Sequence, residues 1–121
     1  MTTALVVDDH PSFRREAKAM LEAAGFEVVG EAADGRSALA MAGSLDPDMV
    51  LLDIGLPDVE GFEVARRLGV FVRPPTVVLT SSRDASAYGD KLPAPGAIGF
   101  VPKDELSVER LAALLRRAEL P

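Results

Sequence analysis

The sequence contains no cysteine, so a disulfide scaffold, a thiolate metal site and a cysteine nucleophile are all excluded. No apolar run approaches the roughly 18–20 residues of a membrane span, and no membrane association is expected. The opening MTTALVVDDH lacks a basic segment followed by a long apolar one. No signal peptide is expected, and the cytoplasm is the expected location. Basic residues are in deficit, 13 Lys and Arg against 19 Asp and Glu, for a net charge of −6 and a pI of about 4.7. Such a chain is not expected to grip nucleic acid directly. The pairs Arg14-Arg15, Arg66-Arg67 and Arg116-Arg117 fall at helical positions and read as solvated faces. The single histidine, His10, reads as a surface loop residue, with ligand or base as the alternative.

What the sequence does have is core. Its 121 residues are 48% hydrophobic, enough for one domain over residues 1–121 and against disorder. Five short apolar runs have strand length: Ala4–Val7, Phe26–Val29, Met49–Leu52, Thr76–Leu79 and Ala97–Val101. Helical spacing fills the gaps. Phe13, Ala17, Met20 or Leu21, and Ala24 share one face after Pro11, with Gly25 as the stop. Asp34 is a candidate N-cap for a second helix that Gly43 is expected to end. Val59 to Leu68 reads as a third helix. Ser107 is a candidate cap for the last, with Val108, Leu111, Leu114, Leu115 and Ala118 as its stripe. The segment Ala85 to Leu92 has few apolar positions, and Pro93 and Pro95 follow it, so a fourth helix there is expected to be short or mobile. The alternation predicts an α/β fold: a doubly wound, five-stranded parallel sheet, flavodoxin-like (βα)5, in the order 2-1-3-4-5.

In such a sheet, sites lie beyond the carboxyl ends of the strands. The first strand ends in Asp8-Asp9 and the third in Asp53. The fourth ends in Thr80-Ser81-Ser82, and Lys103 follows the fifth. Two unit charges 4 Å apart repel by about 4 kcal/mol at an effective dielectric near 20. One lysine cannot neutralise three carboxylates. Either one of them stays protonated or a divalent cation enters, and an all-oxygen site of this kind suits Mg2+, with Mn2+ as a substitute. Asp8 and Asp9 as mere caps of the helix after Pro11 are the structural alternative.

Four pieces of sequence now stand in order at strand ends: Val6-Val7-Asp8-Asp9, Asp53-Ile54-Gly55-Leu56-Pro57-Asp58-Val59-Glu60-Gly61, the hydroxyl cluster after the fourth strand, and Gly99-Phe100-Val101-Pro102-Lys103. Together they resemble the receiver domain of bacterial two-component response regulators across essentially the whole chain. The run Asp8-Asp9-His10-Pro11-Ser12-Phe13-Arg14 is most similar to the subfamily whose receivers usually precede a helix-turn-helix output domain.

The resemblance implies roles. Asp53 is the phosphoacceptor for a phosphohistidine on a sensor histidine kinase or phosphotransfer protein. Asp8 and Asp9 hold Mg2+, Asp9 the more directly, with Asp53 and the backbone carbonyl of Gly55 adding oxygens. Lys103 pairs with the phosphoryl oxygens. The switch hydroxyl is Ser81 or Thr80. Ser81, 22 residues before Lys103, is preferred because Tyr88 and Gly96 then also fall into register. Phe100 matches the aromatic switch position, with a permanently buried core residue as its alternative.

The implied function is a phosphorylation-controlled signalling switch. It supports its own phosphotransfer and slow dephosphorylation but is not a turnover enzyme. Its signal goes to a downstream protein target or an output domain outside this chain, and it is a monomer or a weak phosphorylation-dependent dimer. The end at Leu120-Pro121 leads to the expectation of a stand-alone receiver rather than the receiver of a longer regulator. Two other functions stay open. One is a pseudo-receiver interaction module that works without phosphorylation. The other is a Mg2+-dependent phosphohydrolase using an aspartyl phosphate, against which stand the adjacent spacing of Asp8 and Asp9 and the lack of a cap domain.

Overall fold

The computed structural model describes residues 2–117, with side chains to Arg116. The elements run β1 (Thr3–Val7), α1 (Pro11–Ala23), β2 (Glu27–Ala32), α2 (Gly35–Leu45), β3 (Met49–Asp53), α3 (Gly61–Leu68), β4 (Thr76–Ser81), β5 (Gly99–Pro102) and α4 (Val108–Arg117). The strands form one parallel sheet in the order β2-β1-β3-β4-β5. The doubly wound order expected from the alternation is the one observed.

Alternation along each strand divides the core. Leu5, Val7, Val50, Leu52, Val77 and Leu79 face α2 and α3 and pack with Ala38, Ala42, Val64 and Leu68. Ala4, Val6, Met49, Leu51, Val78 and Val101 face α1 and α4 and pack with Ala17, Leu21, Leu111 and Leu115. Each such valine or leucine contributes roughly 1.5–3 kcal/mol when fully buried. The three central strands are therefore fixed along their length, and so are the residues that end them. Ala118, expected on the α4 stripe, lies outside the described residues.

Local chemistry explains most helix ends. Pro11 opens α1 where its missing N–H is no loss. Asp34 caps α2 by accepting from Ser37 N at 2.7 Å, and Ser107 Oγ accepts from Arg110 N at 3.1 Å. Several expected boundaries need correction. Helix α2 passes through Gly43 and ends at Leu45, with Asp46 in the left-handed conformation at φ 49° as its C-cap. Gly43 has open space around it, so it costs α2 only helix propensity. Helix α3 starts at Gly61 rather than Val59, because the chain from 55 to 60 serves as a loop. Strand β2 lies later than expected, and so does the start of β5.

The largest difference is the fourth helix. Among the described residues there is no α-helix between β4 and β5. Two three-residue 3-10 turns, Ala85–Ala87 and Gly89–Lys91, stand in its place. Gly89 takes φ +56° at the start of the second, and Pro93 and Pro95 block continuation. The thin cover leaves a cavity of about 320 Å³ lined by Leu79, Ala85, Leu92, Ala97 and Phe100, among others.

Candidate functional site

The sheet order reverses between β1 and β3, and both strands end there in carboxylates. Val7 pairs with Leu52, which sets Asp8 beside Asp53. Lys103 opens a short 3-10 turn directly after β5. Its Nζ lies 2.6 Å from Asp8 Oδ2 and 3.7 Å from Asp53 Oδ2. The ammonium also sits 4.4 Å from the centroid of the Phe13 ring, a cation–π contact that fixes it from the α1 side.

Asp8 is fully buried, with 0% exposure, and Asp53 is 4% exposed. Each is held by backbone. Asp8 N donates to Ala32 O at 3.0 Å, and Asp8 Oδ1 accepts from His10 N at 2.9 Å. Arg14 Nη1 donates to the Asp8 carbonyl at 2.6 Å, and Arg14 Nε pairs with Glu31. Asp53 Oδ1 accepts from Gly55 N at 3.2 Å. Burial raises the Asp53 carboxyl above the ordinary carboxylate value, and repulsion from Asp8 adds to the rise. The Gly55 N–H and the Lys103 ammonium oppose it without cancelling it. The group therefore carries its negative charge reluctantly.

The donor set fits a hard divalent cation. Apart from the Lys103 ion pair, Asp8 Oδ2 receives no hydrogen bond, and neither does the buried Asp9 Oδ1. Carboxylate oxygens of Asp8, Asp9 and Asp53 and a His10 ring nitrogen all lie within 4.8 Å of one another. Oxygen donors crowded at the surface end of a sheet, with Asp9 open to water, are what Mg2+ requires. Another acidic group, Asp84, Asp104 and Glu105, is exposed and lacks this burial.

The loop after Asp53 is clamped. Asp58 accepts from Gly35 N at 2.7 Å and Arg36 N at 3.0 Å, joining the loop to the start of α2. These N–H groups hold its carboxyl below the ordinary value. Gly61 packs against the backbone of Asp53 itself: a Cβ there would lie 2.5 Å from the Asp53 carbonyl oxygen. Only glycine allows that approach.

The two neighbouring hydroxyls have different fates. Thr80 faces the α1 and α4 side with Val78, and its Oγ1 donates to Val101 O at 2.8 Å. Ser81 faces the other side, where Oγ meets Tyr88 Oη at 2.5 Å and accepts from Arg83 N at 3.1 Å. The half-buried Phe100 packs beside Tyr88, with ring centroids 5.8 Å apart.

The structure thus brings Asp8, Asp9, Asp53 and Lys103 together, with Gly55 bonded to Asp53. It also shows what the sequence reading missed. Arg14 is not a solvated residue but a strut under Asp8, while Arg66 and Arg67 are exposed and pair with Glu63. His10 is exposed, as expected, yet its Nδ1 lies 3.0 Å from both Asp8 Oδ1 and Asp9 Oδ1. The position of Arg14, within the first turn of α1 after the Asp8-Asp9 pair, was the available signal for its role. Nothing in the sequence pointed to Phe13 beneath the lysine.

Residues 4–116 match the family model described as response regulator receiver domain. The chain is 38% identical over 101 residues to the transcription regulator BvgA of Bordetella pertussis, covering 84% of this chain and 48% of that protein. It is 38% identical over 121 residues to the transcriptional regulatory protein KdpE of Mycobacterium tuberculosis, covering 97% of this chain and 52% of that one. The chain therefore spans about half the length of the curated relatives it matches. Among solved structures, the signal receiver domain of the response regulator NarL from Mycobacterium tuberculosis superposes with a TM-score of 0.84 at 35% identity, covering 98% of this chain and 96% of that one.

Proposed function

The chain belongs to the response regulator receiver family, and from that premise we propose that it is a switch thrown by phosphorylation of Asp53. One observation carries the proposal: Asp53 ends a buried strand beside Asp8 and within 3.7 Å of Lys103, with its carboxyl raised above the ordinary value. Two acids share one ammonium there, and a phosphoryl group with its counter-ion completes the balance of charge.

Asp53 attacks the phosphorus of a phosphohistidine on a histidine kinase or phosphotransfer protein. An O–P bond forms, the N–P bond breaks, and the imidazole leaves with its electron pair and takes up a proton. Asp8, Asp9, Asp53 and the Gly55 carbonyl would hold Mg2+, or Mn2+ in its place, which supplies charge neutralisation on the phosphoryl oxygens. Lys103 leans on Asp8 at rest and pairs with the phosphoryl oxygens afterwards. Ser81 offers its hydroxyl to the same group, because the Thr80 hydroxyl is committed to Val101 O. Phe100 follows Ser81 and changes the surface at the β5 edge. The switch works in the cytoplasm, and its signal passes to a protein target or output domain. A monomer or a weak phosphorylation-dependent dimer serves for that. Like the receivers of transcriptional regulators, it is a signalling domain rather than a turnover enzyme.

The test is intact mass after incubation with acetyl phosphate and Mg2+. The expected result is a gain of one phosphoryl group, absent with EDTA and absent in Asp53→Asn. A folded chain that gains no mass and binds no Mg2+ by titration would point instead to an interaction module that works without phosphorylation.

A further inference from the structure

Ser81 is 4% exposed. Its hydroxyl has one proton to give and lone pairs to receive two. One lone pair takes the Arg83 N–H. Tyr88 Oη is its other partner. Tyr88 is only half-buried and can pass its own proton to water, whereas a buried serine proton without an acceptor is costly. These costs favour Ser81 as the donor and Tyr88 as the acceptor at rest.

A phosphoryl group on Asp53 carries only acceptors, so it claims that same proton. Resting on the switch reading above, we propose that Tyr88 is a positioning residue that sets the threshold of the switch by competing with the phosphoryl group for the single proton of Ser81.

Three features support this. The Tyr88 ring is gripped edge-on by Phe62 of α3 at 5.5 Å and by Phe100 of β5 at 5.8 Å, so its hydroxyl stays aimed at Ser81. Tyr88 stands between two three-residue turns rather than inside a helix, so those two ring contacts and not a helix hold it. The cavity of about 320 Å³ reaching Phe100 gives the neighbouring ring room to follow.

The chain has one tyrosine and no tryptophan, so its longest-wavelength absorption band, beyond that of its phenylalanines, reports Tyr88 alone. Beryllofluoride with Mg2+ serves as the phosphoryl probe, with affinity measured by calorimetry. Tyr88→Phe keeps the ring and removes only the competitor. It is expected to tighten beryllofluoride binding by about two- to tenfold, the factor carried by one net hydrogen bond. In a Ser81→Ala background the same substitution should change nothing. In the wild-type chain, binding should move the tyrosine band to longer wavelength as the phenol stops accepting. Unchanged or weaker binding by Tyr88→Phe, an equal gain without Ser81, or a band that stays still in the bound wild type each overturn the role of Tyr88 and leave the switch intact. Failure of the wild-type chain to bind the probe at all overturns the switch reading, and this inference with it.

Discussion

The two halves of the sheet are built to different standards. Strand β3 is buried from end to end and β1 from Ala4 to Val7, and two glycines press backbone against backbone or side chain around the Asp53 loop. A Cβ on Gly35 would lie 2.9 Å from Val59 Cβ, and one on Gly61 2.5 Å from the Asp53 carbonyl. The β4 and β5 half is covered between those strands by two short turns and encloses a cavity. The carboxylates stand on the stiff half. The hydroxyl, the tyrosine and Phe100 stand on the loose one. On the proposed function, charged groups that hold a cation and a phosphoryl group gain from preorganisation, since any movement of theirs would weaken transition-state contacts. Groups that report the event must have somewhere to go. The difference in packing follows that division of labour.

The largest expected effect attacks the stiff half. Gly61→Ala places a carbon 2.5 Å from the Asp53 carbonyl oxygen and 2.6 Å from Ile54 Cα. Both are backbone atoms that cannot rotate away. The expected cost is about 3 kcal/mol in urea unfolding, together with loss of Mg2+ binding. A cost below about 1 kcal/mol would show that the loop yields, and the contrast between the halves would fail.

A smaller effect tests the charge that this rigidity confines. Asp53 binds its proton more tightly in the folded chain than in the unfolded one. The native state then holds more protons across that interval, so stability falls as pH rises from the unfolded carboxylate value, 3.8, through the raised folded value. Asp53→Asn removes the loss. The variant is expected to be more stable than wild type at neutral pH and equal to it in acid below both values. Thermal melts across pH check this. Saturating Mg2+ should narrow the gap by stabilising the wild-type chain. A variant less stable at neutral pH would mean that Lys103 outweighs burial and Asp8 together.

The stiff half was also the more legible in sequence. Runs such as Met49-Val50-Leu51-Leu52 declare strands buried on both faces, and strand ends then place Asp8, Asp9 and Asp53 without further information. The loose half was harder to read, because its structure depends on what fails to form. Few apolar positions and two prolines forecast a weak helix after Ala85. They do not distinguish a short helix from two 3-10 turns, since both satisfy the same local preferences. Arg14 and Asp58 were missed for another reason. Each bonds to a main-chain group, Arg14 to Asp8 six residues earlier and Asp58 to Gly35 across the fold, and no hydrophobic periodicity encodes such a bond.

The smallest expected effect lies in the loose half, and its smallness is the point. Ala97 lines the cavity next to Phe100. Ala97→Val adds two methyl groups where Gly61→Ala adds one carbon. The added carbons find contacts there instead of clashes, and unfolding free energy should change by less than about 1 kcal/mol, in the stabilising direction. On the role proposed for Tyr88, the same filling takes away room that Phe100 would use, so beryllofluoride should bind more weakly to Ala97→Val even as the fold gains stability. Urea unfolding and calorimetry on one sample separate the two. A destabilised fold would mean that this half is packed as tightly as the other. A stabilised fold with unchanged affinity would mean that its slack takes no part in the switch.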